Sequence, residues 1–168
     1  MTDSSEMACD FAHNAELYVS WFDDVVSDEV TPLSMRKLHE ALALIAAAAA
    51  RLTAVAPGDK TDSDFEKDRD LVAILREKLP VDAYSVVFNP FEYDPLEVNP
   101  PKPVMAMLSD DLDDVYSDVM KGLTLFRNGE IRNALWHWHF AYYTHWGRHL
   151  SHAQSAIWQY LSEGNWSQ

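Results

Sequence analysis

A chain of 168 residues suffices for one domain that buries about 70% of its unfolded surface and is too short for two independent cores, so a single domain over residues 1–168 is expected. Its 13 Lys and Arg against 27 Asp and Glu give a net charge of −14 with His neutral. Such a surface repels phosphate backbones and anionic lipid headgroups, excludes nucleic acid and membranes as expected partners, and favours a cationic protein.

The single cysteine, Cys9, excludes an intramolecular disulfide and a Cys-rich zinc module, and reads as a reduced, partly buried thiol. Residues 1–9 are polar and acidic, without the basic and apolar regions of a secretory leader. The apolar run at 42–50 is too short to cross a membrane, so a cytoplasmic location is expected.

The first helix spans about residues 7–26, where Phe11, Ala15, Tyr18, Phe22 and Val25 recur at spacings of four and three. Thr31 and Pro32 make an N-cap and first-turn pair for a second helix that runs to about residue 55. Leu38, Leu42, Ile45, Ala49 and Leu52 form its inward stripe, and five alanines at 46–50 allow a neighbouring helix to approach closely. A polar loop at 58–63 leads to a third helix over about residues 64–79, closed by Pro80.

Residues 81–108 differ in kind. Pro90, Pro95, Pro100, Pro101 and Pro103 forbid a helix, while Tyr84, Phe88, Phe91 and Tyr93 are too apolar for a free linker. The segment reads as a packed connection or a lid, with at most a short strand near residues 84–88. A fourth helix starts with Ser109 as N-cap and ends at Asn128 and Gly129. A fifth, uninterrupted helix covers about residues 130–161. The expected fold class is therefore all-α, a bundle of about five helices with a Pro-rich, aromatic irregular segment before the two C-terminal helices.

On a wheel of about 100° per residue, the fifth helix presents Leu135, His139, Tyr142, Trp146, Leu150 and Ile157 on its apolar side. His139 is thus expected in the core, and His137, with Thr144 and Arg148, on the solvent side. Gly147 leaves room for a large side chain from another element. His145 and His149, at i and i+4, are spaced so that two imidazoles can reach one ion. Carboxylates must then come from elsewhere, and Asp114 on the fourth helix is the candidate third ligand. Asp110, Asp111, Asp113, Asp114 and Asp118 otherwise read as a solvated acidic face.

The stretches DLDDVYSDVMKGL at 111–123 and ALWHWHFAYYTHWGRHL at 134–150, with YSVVFNP upstream at 84–90, resemble the bacterial family labelled domain of unknown function 5063. The resemblance centres on Trp136, Trp138, Phe140, His145, Trp146, Gly147 and His149, and the family's pattern has an acidic residue and an arginine where this chain has His137 and His139. It implies the fold and the centrality of the fifth helix, and no mechanism.

Three functions stay open at this level. The charge, with no nucleophile constellation and no Gly-rich phosphate loop, suits a non-enzymatic interaction or regulatory module, such as an inhibitor of a basic protein. A metal-dependent enzyme or metal-binding protein would use His145, His149 and Asp114. A small-ligand binder would line an aromatic pocket with Tyr84, Phe88, Trp138, Tyr142 and His145. No organic cofactor is expected, and the Trp and Tyr surplus permits a homodimer.

Overall fold

The computed structural model describes residues 4–59, 63–67, 70–86, 96 and 102–165. In chain order it contains helices α1 (Ser4–Ser27), α2 (Pro32–Arg51) and α3 (Leu71–Lys78), and strands β1 (Ala83–Val86) and β2 (Val104–Met107). Helices α4 (Leu108–Arg127) and α5 (Ile131–Ala141) follow, then a π-helical turn (Tyr142–Trp146), helix α6 (Gly147–Tyr160) and a closing wide turn (Leu161–Asn165). The fold is the all-α bundle expected from the periodicity. Within the irregular segment β1 pairs with β2 antiparallel, from Ala83 opposite Met107 to Val86 opposite Val104. No described helix is long and apolar enough to cross a membrane.

Local chemistry sets the helix ends. Thr31 caps α2 with a reciprocal pair of bonds, Ser34 N donating to Thr31 Oγ1 at 3.2 Å and Thr31 N to Ser34 Oγ at 2.8 Å. Helix α1 has no basic residue in its last turn, and Lys78 of α3 supplies the donor, its Nζ bonding the carbonyls of Val25, Val26 and Asp28. Helix α3 is shorter than expected. It begins only where Asp70 Oδ1 accepts from Ala73 N, and residues 63–67 before it form no helix, with Phe65 against Tyr116 and Lys67 Nζ 2.6 Å from Asp113. Ser109 does not cap α4. Its N–H and hydroxyl both donate to the Asp82 carboxylate, so the cap comes from the residue just before β1.

The core lies where α1, α4 and α5 meet. Trp138 is fully buried, its ring 4.4 Å from Phe11 and its Nε1 donating to Val119 O. Gly122 makes this possible, since a Cβ there would lie 2.0 Å from Trp138 Nε1. Helix α2 packs against α1 and α6 with Ala48 and Ala49 buried, in keeping with the alanine run. Cys9, expected partly buried, is exposed because it faces away from the Ala8 and Phe11 stripe.

The expected uninterrupted fifth helix is two helices joined by the π turn. Gly147 N donates to Tyr142 O, and a Cβ at Gly147 would lie 2.3 Å from that carbonyl oxygen and about 3 Å from the Tyr142 ring. Gly147 therefore makes room for its own helix's wide turn and not for another element.

Gly122→Ala is expected to destabilise the protein by about 1–3 kcal/mol in urea unfolding, although alanine is the better helix former by about 1 kcal/mol. An unchanged midpoint would mean that Trp138 can give way.

Candidate functional site

Helices α4 and α6 pack side by side. Asp111, Asp114 and Asp118, at i, i+3 and i+7, lie along one flank of α4. Facing them are His145, from the π turn, and His149, one turn into α6. The two imidazole centroids are 4.9 Å apart.

Each imidazole has its own carboxylate. His145 Nδ1 is 2.7 Å from Asp118 Oδ2, and His149 Nδ1 is 2.7 Å from Asp111 Oδ1. An ionised carboxylate only accepts, so the proton of each bond belongs to Nδ1, which leaves the Nε2 lone pairs free when the rings are neutral. Asp118 also accepts from Lys121 Nζ at 3.0 Å. Asp111 Oδ2 accepts a hydrogen bond from the Tyr84 hydroxyl.

Asp114 is held differently. Its Oδ2 is 3.5 Å from His149 Nδ1, too long for a hydrogen bond of ordinary strength, and that nitrogen already serves Asp111. One donor atom each from Asp114, His145 and His149 nevertheless lie all within 4.8 Å of one another. His145 is 47% exposed and Asp114 40%, against 17% for His149, so the cluster is buried at one end and open at the other.

The electrostatics follow the geometry. Burial raises the proton affinity of Asp114, the charges of Asp113 and Asp111 add to this, and His149 and His145 only partly offset it. Burial acts upward on Asp118 too, but hydrogen bonds from His145 and Lys121 outweigh it and hold this carboxyl below its ordinary value. The bond to Asp111 raises the pKa of His149 against the effect of burial. Burial lowers those of His137 and His152, which keeps both rings neutral near pH 7.

Two expectations about this face need correction. The five aspartates do not form a solvated face, because Asp111, Asp113 and Asp118 are buried, Asp114 is partly covered and only Asp110 is exposed. Helix α4 meets α1, α3, α5 and α6, so it has little open surface to give them. The outward and inward histidines of α5 are also misassigned. His137 is part-buried, its Nε2 3.1 Å from Asp118 O, whereas His139 is only half-buried with its ring beside Tyr143. Helix α5 turns Trp138, and not His139, to the centre of the core.

The expected ligand pocket is not assembled from its members. Trp138 is enclosed in the core, Tyr142 packs on Trp146, Tyr84 bonds Asp111 and His145 bonds Asp118. Phe88 falls outside the described residues. Two surface clefts lie elsewhere, one of about 330 Å³ beside Trp21 and Leu44 and one of about 510 Å³ beside Ile131 and Leu135. The sequence offers Asp111 and Asp118 only among the fourth-helix aspartates that could supply a carboxylate, and Tyr84 only as a pocket residue, without pairing any of them with a particular histidine. The i, i+3, i+7 spacing of the aspartates was the available signal.

In chelator-treated buffer, His149→Gln is expected to cost more stability at pH 5.5 than at pH 8.5. A raised histidine pKa contributes stability that is fully present below the unfolded value of 6.5 and is lost as pH rises through the folded one. Urea unfolding at the two pH values measures the difference, and equal losses at both would contradict the raised proton affinity of His149.

Comparison with other proteins places the fold. The crystal structure of protein BF1032 from Bacteroides fragilis is similar over 94% of this chain and 92% of that one, with a TM-score of 0.67 at 19% identity, a likeness of fold alone. No curated protein matches the sequence. A family model described as Domain of unknown function (DUF5063) matches residues 2–162. With nearly its whole length matched, this chain belongs to the DUF5063 family.

Proposed function

We propose that this protein binds a divalent transition-metal ion through Asp114, His145 and His149 and keeps at least one coordination position open to solvent. The observation that carries this reading is the convergence of one donor atom each from Asp114, His145 and His149 within 4.8 Å, with each imidazole already oriented by a carboxylate at its Nδ1. Metal–ligand bonds of about 2.0–2.2 Å need donors about 3.3 Å apart in a tetrahedron, so a modest closure of side chains forms the site. Asp114, whose proton affinity is raised by burial and only partly offset by the two imidazoles, is the group that a cation would relieve most.

Three protein ligands with a solvent-exposed fourth position characterise catalytic rather than structural zinc sites, where a bound water ionises near neutral pH. Two imidazoles and one carboxylate also suit Fe²⁺. The chemistry that fits is metal-assisted activation of water or of a small oxygen donor.

Protein made without a polyhistidine tag, stripped with chelator and titrated with Zn²⁺, is expected to bind one ion. At a free concentration about 100 times Kd, binding stabilises the fold by about 2.7 kcal/mol, a rise in Tm of roughly 5–10 °C. Asp114→Asn combined with His149→Ala is expected to abolish the rise. Zn²⁺ that neither binds saturably nor shifts Tm removes this reading.

A second reading, a protein-interaction module for a basic partner, is favoured by a different surface. Phe140 and Tyr143 are 52% and 65% exposed, and the Trp136 and Phe140 rings stack in parallel at 5.3 Å. Residues 136–144 include no Asp, Glu, Lys or Arg, in a chain of net charge −14. The overall field draws in a cationic protein, and the stacked rings offer a seat for an arginine. Pull-down from the native host with the parent and a Phe140→Ala, Tyr143→Ala variant tests it. Loss of a basic protein only in the variant supports the module, and identical captures count against it.

A further inference from the structure

Within the site read above as a metal centre, and resting on that reading, we propose that Tyr84 is a positioning residue that holds the metal-binding face of His149 through Asp111. The path is direct. The Tyr84 hydroxyl donates to Asp111 Oδ2, Asp111 Oδ1 is 2.7 Å from His149 Nδ1, and the other ring nitrogen of His149 is left for the ion.

The strand places the phenol for this. In β1 the side chains alternate, Ala83 and Ser85 outward, Tyr84 and Val86 inward. Two residues before Tyr84, Asp82 is bolted to the start of α4. Its carbonyl accepts from Leu108 N at 2.8 Å, and its carboxylate accepts from Ser109 N at 2.7 Å and from the Ser109 hydroxyl. Tyr84 then meets Asp111 in the first turn of that helix. The strand therefore has two attachments to α4 two residues apart, and the second fixes the orientation of the Asp111 carboxylate. Burial, and then the bond to Asp111, push the Tyr84 phenol well above its ordinary range, which keeps the hydroxyl a donor near neutral pH.

The two imidazoles consequently differ as ligands. Asp118, behind His145, is neutralised by the Lys121 ammonium, whereas Asp111, behind His149, is met by a neutral phenol and keeps more of its charge. A carboxylate with more charge makes its histidine the more basic ligand. His149, the less exposed ring, is the firmly held member, and His145 is the one open to exchange with solvent.

The test uses Co²⁺, whose visible d–d band reports ligand geometry, on the full chain stripped with chelator. Tyr84→Phe keeps the ring and removes the hydroxyl, and is expected to weaken Co²⁺ binding about 10–100-fold and to shift the band. Ser85→Ala, outward on the same strand, is expected to change neither. A merely structural role would lower the apo Tm and leave the band of the loaded protein where it was, which overturns the proposal. So does an unchanged Kd. If Tyr84→Phe does not fold, 3-fluorotyrosine at position 84 keeps shape and hydroxyl while altering donor strength, and an unmoved band then overturns it. The two claims fail separately: no saturable Co²⁺ spectrum in the parent protein removes the metal reading and this inference with it. A parent that binds, with a Tyr84→Phe variant that binds identically, removes the inference alone.

Discussion

Helix α4 is packed by α1, α3, α5, α6 and β2, and a helix so enclosed has little solvent face on which to keep its aspartates. An ionised carboxylate taken out of water without a partner costs several kcal/mol, so each buried one must draw in a donor. Asp113 draws Lys67, Asp118 draws His145 and Lys121, and Asp111 draws His149 and Tyr84. These donors come from the run before α3, from β1, from α4 itself, from the π turn and from α6. The acidic flank of α4 thereby fixes the positions of its neighbours. Such a network is an expensive way to gain stability, since well-packed apolar residues in the same volume are often as stable or more so. Stability alone does not account for three buried carboxylates on one helix.

The π turn is the second constraint. A wide turn takes in one residue more than an α turn and so rotates everything beyond it relative to the helix before. Here it separates Trp138, which serves the core, from His145 and His149, which serve the α4 flank. The turn exists only because position 147 carries no side chain, as a Cβ there would meet the Tyr142 carbonyl. Glycine in a helix is less favourable than alanine by about 1 kcal/mol, and that loss goes with the placement of the two histidines.

Much of this was legible in the sequence, for reasons that also explain the failures. The α1 and α2 stripes, the Thr31–Pro32 start and the helix-forbidding prolines report local physics, and each has its counterpart in the fold. The His145/His149 pair was visible because i, i+4 spacing survives whichever way a helix is turned. Its carboxylate partners were not, because a wheel says which residues share a face and not how many neighbours cover that face. Asp111 and Asp118 flank the Leu112, Val115 and Val119 stripe, and with packing on several sides a flank is interior. Extending a single wheel from residue 130 to 161 carried an α-helical phase through a π turn, so no wheel could have placed residues on both sides of it correctly. The long-range partners, Asp82 on Ser109 and Tyr84 on Asp111, have no local signature at all.

Helix polarity offers a simpler account of the aspartates, since anions are favoured at an N-terminus, but the effect fades within the first turn. It covers Asp110 and Asp111 and leaves Asp114 and Asp118 unexplained. Asp118 is accounted for by Lys121 and His145. Asp114 is the remainder, with two other carboxylates for neighbours and a proton affinity raised by burial. The two imidazoles opposite it have already committed their Nδ1 protons to Asp111 and Asp118. A neutral ring has no second proton to give Asp114, so only a protonated imidazolium could bond it while keeping the carboxylate that orients it. On the proposed reading, a divalent cation would take an oxygen of Asp114 together with ring nitrogens not bonded to Asp111 and Asp118, and both existing hydrogen bonds would stay in place.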